Sequence, residues 1–177
     1  MKKSLLLLGG ALVLFSNSAF GWGKMGHDAI AYIAECNLTP KAKKTIEKIL
    51  GHSIVYYATW MDEWRAEPGY EHTSAWHTAS VDKNLVYAPR PKGDVIFALE
   101  DAIAKLQDYK QQDDSTVVMS LRCIIHFVGD MHCPVHVKYA DQKSYNVYLN
   151  GDKCSYHNVW DDQIISRSHR WGYLEYA

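Results

Sequence analysis

One segment, residues 116–131, constrains the fold more than any other, because it predicts a helix that is apolar around almost its whole circumference. Such a helix lies at the centre of a domain rather than on its surface. It nevertheless carries His126 and Asp130, whose spacing of four residues places both side chains on one face. A buried histidine and a buried aspartate are costly unless they pair or bind a metal. The sequence therefore predicts a polar site inside a helical core.

Shorter helices are predicted around this central one, and several have recognisable ends. Thr39 and Pro40 begin a helix that Gly51 ends, in the order N-cap, first-turn proline and terminal glycine. Asp94 is predicted to cap another helix, and Ser115 to cap the central one. Together with the central helix, the predicted helices cover residues 27–36, 40–50, 56–65, 95–110, 116–131 and 157–165.

One β-hairpin is predicted near the end of the chain. Tyr145, Val147 and Leu149 alternate with polar residues, and the turn pair Asn150-Gly151 follows them. A length of 177 residues favours one domain, and 47% apolar residues exclude a disordered chain. We therefore predict an all-α, multi-helix fold with one small β-hairpin.

The charge balance excludes a protein that holds nucleic acid mainly through a basic surface. Nineteen lysines and arginines stand against twenty aspartates and glutamates, which gives a formal net charge of −1. If the protein handles phosphates, something other than bulk positive charge must neutralise them.

Residues 1–21 have the three-part layout of a secretory signal peptide. Lys2 and Lys3 precede an apolar run over residues 5–15, and small or polar residues dominate positions 16–21. The alternative is a membrane anchor, but the apolar run is about half of the ~20 residues that a span needs. We therefore expect cleavage after Gly21, a mature chain of residues 22–177 that begins at Trp22, and a secreted or periplasmic protein.

Export would place four cysteines in an oxidising compartment, where disulfides are expected. Four cysteines allow three complete pairings, and the sequence does not choose among them. No two of them have C-x-x-C spacing, which disfavours a cysteine-based zinc site. The four are Cys36, Cys123, Cys133 and Cys154.

The pairing of histidine and aspartate four residues apart occurs twice. His157 and Asp161 repeat the spacing of His126 and Asp130, and His136 follows Asp130 by six residues. One such pair alone is more often a simple ion pair in the core. Three histidines and two aspartates in two short segments are instead typical of a zinc ligand set. We also expect His132 to support this cluster by hydrogen bonding.

Taken in order, several segments resemble the S1/P1 nuclease family, also called the zinc-dependent phospholipase C/P1 nuclease superfamily. The matching pieces are Trp22-Gly23…Gly26-His27, Ala58-Thr59-Trp60-Met61-Asp62…Arg65, Trp76-His77, His126-Phe127-Val128-Gly129-Asp130…His132-Cys133-Pro134-Val135-His136 and His157…Trp160-Asp161. Three positions depart from the family pattern: Thr78 replaces a frequent aromatic residue, Cys133 a common glutamine, and Ser155-Tyr156 the usual Asn-Leu. Family members also continue beyond the last motif, so we expect the C-terminal part of the family domain to be missing here.

The resemblance implies a mainly helical fold that holds three zinc ions in a cleft. By position, one ion would be held by Asp62, His77, His126 and Asp130, and a second by His136, His157 and Asp161. Trp22 would hold the third through its amino group and carbonyl, with His27 and a bridging Asp130. Asp62 and Arg65 would carry catalysis, and Arg65 would bind the substrate phosphate.

The activity implied by the resemblance is that of a zinc-dependent endonuclease and 3′-nucleotidase. The substrates would be single-stranded DNA or RNA and 3′-nucleotides, and hydroxide activated by zinc would attack phosphorus to leave 5′-phosphate products. We expect a monomer without stable membrane association. The alternatives are a phospholipase C acting on lipid head groups, disfavoured by the lack of a basic amphipathic stretch, and a zinc-binding helical protein without catalysis. A redox or haem protein is disfavoured because no C-x-x-C-H motif occurs.

Overall fold

The computed structural model describes residues 22–177. The expected signal peptide, residues 1–21, lies outside the described residues. The fold is mainly helical, as predicted. Its helices are α1 (Lys24–Asn37), α2 (Pro40–Leu50), α3 (Trp60–Trp64), α4 (Val95–Gln107), α5 (Asp114–Met131), α6 (Tyr156–Asn158), α7 (Ile164–Ser168) and α8 (Tyr173–Tyr176).

The predicted central helix, α5, lies at the centre of the molecule. It packs against α1, α2, α3 and α4, and Phe127 on its buried side is fully shielded from solvent. Ala58 and Met61 from the α3 region and Val95 from α4 complete the most buried part of the core. Burial on several sides explains why the sequence of α5 is apolar almost all the way round.

Three of the predicted helix ends are confirmed in atomic detail. The Thr39 hydroxyl accepts a hydrogen bond from the Ala42 amide at 3.2 Å, and Gly51 ends α2 with φ of +79°. The Asp94 carboxylate accepts hydrogen bonds from the Ile96 and Phe97 amides and so caps α4. These ends were predictable because each cap acts within its own turn of chain.

Several predicted boundaries were wrong, among them the start of α1, which lies at Lys24 rather than at residue 27. The N-cap of α5 is Asp113, which accepts from the Thr116 amide at 2.9 Å, whereas the Ser115 hydroxyl donates to Asp113. The helix predicted over residues 56–65 is split into a 3₁₀ turn, Ile54–Tyr57, and α3, because the backbone at Thr59 leaves the helical region. Helix α4 ends at Gln107, and a separate 3₁₀ turn, Tyr109–Gln111, follows it.

The predicted hairpin is present as β3 (Asn146–Leu149) and β4 (Asp152–Ser155), in antiparallel register with Leu149 opposite Asp152. Asn150 and Gly151 both have positive φ, as a two-residue hairpin turn requires. The sequence analysis missed a short parallel pair, β1 (Ala79–Val81) and β2 (Val137–Tyr139). Its strands are three residues long and far apart in the chain, so no local alternation marks them.

Between α6 and α7 the chain forms a π-helical segment, Val159–Gln163, so that residues 156–168 form one helical run with a widened turn. No helix within residues 22–177 has the length and apolar character needed to cross a bilayer. All four cysteines are free thiols in the structure, so the expected disulfides remain a prediction.

Candidate metal centre

Six separate segments bring the predicted ligands to one place. His27 comes from α1, Asp62 from α3, and both His126 and Asp130 from α5. Two 3₁₀ turns, Glu71–His77 and Pro134–His136, supply His77 and His136 at their last positions. Helix α6 supplies His157, and the π-helical segment that follows it supplies Asp161. All are buried except His157, which is half-buried.

Asp130 lies in the middle of the histidines. Its Oδ2 atom is 3.0 Å from His77 Nδ1 and 3.3 Å from His126 Nε2. Its Oδ1 atom is 3.1 Å from His136 Nδ1 and 3.4 Å from His27 Nε2. One carboxylate therefore faces four imidazoles, two on each oxygen.

Asp62 joins the same group from the opposite side. Its Oδ1 atom is 3.6 Å from His77 Nδ1 and 3.9 Å from His126 Nε2, and its Oδ2 atom is 3.8 Å from His27 Nε2. Asp62 and two of these histidines, His77 and His126, place one ligand atom each within 4.8 Å of one another.

A second group forms around Asp161. His157 Nε2 lies 2.6 Å from Asp161 Oδ2, and His136 Nε2 lies 3.2 Å from Asp161 Oδ1. The Cys133 thiol, which is fully buried, lies 2.8 Å from the same Oδ1 atom. The sequence analysis did not assign Cys133 to this group. Its place follows from the tight turn at Pro134, which brings Cys133 and His136 to the same carboxylate.

The first described residues lie against these groups. The Gly23 amide donates a 2.5 Å hydrogen bond to the Asp161 carbonyl, which brings Trp22 beside the second group. A Cβ atom at Gly26 would lie 2.6 Å from the Trp22 ring, and one at Gly129 would lie 2.5 Å from His27 Nδ1. Both glycines are therefore needed for close approach, a role that sequence analysis did not predict.

The surroundings lower the pKa of two carboxylates of the centre, Asp130 and Asp161, and so favour their charged form. Burial alone would raise the pKa of Asp130, but His126, His136 and His27 outweigh it and hold the pKa well below its usual range. Burial would lower the pKa of His136, but the nearby carboxylates of Asp130 and Asp161 outweigh it and raise the pKa to about 9. At His27 and His77 burial dominates and lowers the pKa.

Many polar atoms of the centre are buried and have no hydrogen-bond partner among residues 22–177. These atoms are both ring nitrogens of His27 and of His136, the Nε2 atom of His77, both Asp130 oxygens and one Asp161 oxygen. Unpartnered buried atoms of this kind are rare in proteins because each costs free energy. Imidazole nitrogens and carboxylate oxygens that converge in this way fit divalent cations such as zinc.

An open cleft of about 580 Å³ leads to the centre. Arg65 lines it, with Nη1 3.5 Å from Asp62 Oδ1, which places the predicted phosphate-binding cation beside a candidate ligand. Arg90, Lys138 and Lys143 also line the cleft and were not predicted. They come from segments far apart in the chain, so no sequence spacing indicated them.

His132 does not play the predicted supporting role. It is exposed at the end of α5, and its Nδ1 atom lies 2.7 Å from the Val128 carbonyl. The backbone at this position follows the helix, so the ring turns back along its own helix and away from the buried side.

The fold is mainly helical, and its central helix carries a buried carboxylate surrounded by imidazoles beside a cationic cleft. These features define a helical protein with a buried histidine–aspartate centre suited to metal ions. The chain belongs to the S1/P1 nuclease family: the model of that family matches residues 22–175.

Three characterised relatives illustrate the similarity. The chain is 24% identical over 176 residues to Nuclease S1 of Aspergillus oryzae, covering 90% of this chain and 60% of that protein. It is 28% identical over 163 residues to Endonuclease 2 of Arabidopsis thaliana, covering 82% and 56% respectively. Nuclease P1 of Penicillium citrinum is 28% identical over 157 residues, covering 79% and 57%. The chain thus spans less than two thirds of the length of these relatives.

Proposed function

We propose that the protein is an exported, zinc-dependent phosphodiesterase that cleaves single-stranded DNA or RNA to 5′-phosphate products and acts as a 3′-nucleotidase. The observation that supports this most strongly is the set of unpartnered, buried imidazole and carboxylate atoms at the bottom of a cationic cleft. The relatives named above are nucleases by name.

The ligand sets that we propose use the two groups around Asp130 and Asp161. The first ion would be held by Asp62, His77, His126 and Asp130, and the second by His136, His157 and Asp161. The third would be held by Trp22 and His27, with Asp130 contributing as well. When bound, zinc supplies an activated water nucleophile and positive charge for the phosphate oxygens.

The residues of this chain position the substrate. Arg65 is mostly buried, with a side-chain exposure of 16%, and its planar guanidinium is suited to two phosphate oxygens at once. Asp62 Oδ1 is 3.5 Å from Arg65 Nη1, so it orients the guanidinium while it serves as a ligand. Because Arg65 contacts the proposed ligand Asp62, a phosphate bound to Arg65 would lie directly beside the metal ions.

The first test measures turnover by the protein expressed from Trp22 and reconstituted with zinc. Release of acid-soluble nucleotides from single-stranded DNA and RNA should be abolished by a chelator and restored by zinc. Arg65→Met should lower kcat/KM by about 100-fold with zinc content unchanged, because one charged contact to the transition state is lost. Arg167→Met, which removes an exposed arginine paired with Asp152, is the matched control. Zinc bound in full without any turnover would contradict the proposal.

Export is the second part of the proposal. Residues 1–21 would direct the chain out of the cytoplasm, and cleavage after Gly21 would free the Trp22 amino group as a ligand. Mass spectrometry of the protein recovered from the periplasm or the medium should give Trp22 as the first residue. A different N terminus would contradict both the leader and the proposed third ligand set.

A further inference from the structure

The cleft that leads to the centre carries more positive charge than one phosphate needs. Four of its lining residues are cations, none of its lining residues is acidic, and the protein as a whole has a net charge of −1. A local excess of one sign in a chain of balanced charge marks a surface that binds the opposite charge. The four cations are Arg65, Arg90, Lys138 and Lys143.

Lys138 is a half-buried cation without a counter-ion. It lies in β2 opposite Ser80 of β1, and no carboxylate within the described part of the chain forms an ion pair with it. Arg90, a second cation, lines the same cleft. A partly desolvated ammonium group beside a like charge is costly unless an anion from outside the protein compensates it.

Arg90 is held in place without being neutralised. Its Nη2 atom donates to the Ala75 carbonyl at 2.6 Å and to the Thr78 carbonyl, both of which are uncharged groups. Its Nε atom is buried and has no hydrogen-bond partner. The guanidinium is therefore fixed on the segment that presents His77, and its charge remains available to the cleft.

These two cations differ from Arg65 in their contacts. Arg65 lies beside Asp62, whereas neither Lys138 nor Arg90 forms an ion pair or a side-chain hydrogen bond with a candidate ligand among residues 22–177. The same cleft also contains the stacked rings of Tyr145 and Tyr156, 4.7 Å apart, and Tyr145 is 48% exposed. An exposed aromatic face beside cations is typical of single-stranded nucleic-acid sites.

We propose that Lys138 and Arg90 form a second phosphate subsite, which binds the phosphodiester next to the scissile one. This inference rests on the proposed nuclease function and makes it more specific. It predicts that the protein favours chains with at least two phosphates over substrates with one, and that Lys138 contributes to this preference.

The test compares two probes that differ by one phosphate, a dinucleoside monophosphate and a trinucleoside diphosphate. Lys138→Met removes the charge and keeps the length of the side chain. It should lower kcat/KM for the two-phosphate probe about tenfold more than for the one-phosphate probe, as expected for a lost charged hydrogen bond. Lys138→Arg should restore most of the difference. Lys44→Met, at an exposed lysine on α2, is the matched control and should leave the ratio unchanged.

A second readout is the salt dependence of cleavage of a longer single strand. Lys138→Met should reduce the slope of log kcat/KM against log salt by about 0.7, the value for one lost phosphate contact on a single strand. Equal losses on both probes would overturn the subsite, because Lys138 would then act on the scissile phosphate or on the fold. No loss of kcat/KM on either probe would overturn the subsite as well.

Failure of the proposed function can be distinguished from failure of this subsite. If the unsubstituted protein hydrolyses neither probe, binding of a fluorescently labelled single-stranded oligonucleotide is measured by anisotropy. Binding that Lys138→Met weakens about tenfold and Lys44→Met leaves intact would support the subsite without the activity. Binding that is equal in all three proteins, or absent, would overturn the subsite.

Discussion

At the scale of single residues, Asp130 is the side chain on which the candidate centre depends most. Its oxygens face His27, His77, His126 and His136 at distances between 3.0 and 3.4 Å. We therefore predict that Asp130→Ala lowers the bound zinc more than any other single substitution, because one carboxylate serves two ions. Elemental analysis of the purified variant measures this directly. Asp114→Ala, at an exposed aspartate on the same helix, should keep its zinc. A full zinc complement in Asp130→Ala would contradict the shared role.

Cys133 supports the second group through Asp161. Burial, and then the charge and hydrogen bond of Asp161, raise the pKa of the Cys133 thiol, so it stays protonated in the metal-free protein. The thiol then donates to Asp161 Oδ1 over 2.8 Å and holds that carboxylate in place. Partners of this kind commonly change metal affinity by about 10–100-fold when they are removed.

We predict that Cys133→Ala weakens zinc binding by about tenfold at one of the sites, whereas Cys133→Ser, which retains a donor, keeps most of the affinity. Competition against a chromophoric chelator gives the stoichiometry and the dissociation constants. Cys123→Ala is the matched control, because Cys123 is a buried thiol outside this group. Identical affinities in the Ala and Ser variants would show that the thiol does not orient Asp161.

At the scale of elements, Glu35 joins α1 to the 3₁₀ turn Ile54–Tyr57 and to α2. Its buried carboxylate accepts hydrogen bonds from Lys43 Nζ at 2.9 Å, from the Ile54 amide at 3.2 Å and from the Ser53 hydroxyl. Burial alone would raise the pKa of Glu35, but the bonds from Ser53 and Lys43 outweigh it and lower the pKa below the ordinary value of 4.5.

Because the folded pKa of Glu35 is lowered, its contribution to stability is present above about pH 4.5 and is lost as the pH falls through the folded value. We predict that Glu35→Gln lowers the free energy of unfolding at pH 7 by about 2 kcal/mol. The difference from the unsubstituted protein should shrink at about pH 3. Urea unfolding followed by tryptophan fluorescence measures both values, with exposed Glu100→Gln as control. A difference that does not change with pH would contradict the charged contact.

At the scale of the whole molecule, the candidate metal centre crosslinks the fold. Its ligands come from α1, α3, α5 and the run of residues 156–168, so bound metal would hold the two ends of the described chain to the central helix. Without metal, the same place contains buried imidazoles and carboxylates with unpartnered atoms. Binding to the folded state alone stabilises a protein by mass action.

We predict that a chelator lowers Tm by roughly 8 °C relative to zinc at about 100 times its Kd, which corresponds to about 2.7 kcal/mol. Differential scanning fluorimetry with and without zinc measures the shift. The conservative variant Asp130→Asn should show a smaller shift, because it lacks the charge of the shared carboxylate. Equal shifts in both proteins would mean that zinc stabilises the fold elsewhere.

The sequence by itself determined the features that depend on short stretches of chain. The helical period of apolar residues and the residues that cap helix ends predicted the central helix, α2 and the start of α4. They could do so because a helix is stabilised by groups three or four residues apart. The Asn150-Gly151 turn located the hairpin for the same reason. Spacing in the chain and resemblance to a family singled out the histidines and aspartates before any distance was known.

Only the tertiary structure decided the features that depend on contacts between distant segments. The N-cap of α5 was a local exception, because Asp113 and Ser115 both suit an N-cap and only the structure shows that Asp113 takes this position. Residues far apart in the chain pair in β1 and β2, and Cys133 contacts Asp161. Arg90 and Lys138 likewise come from distant segments to line one cleft. None of these residues carries a mutual signal in the sequence. Packing around the central helix brings them together, because burial of its apolar surface is satisfied only when all these segments close over it.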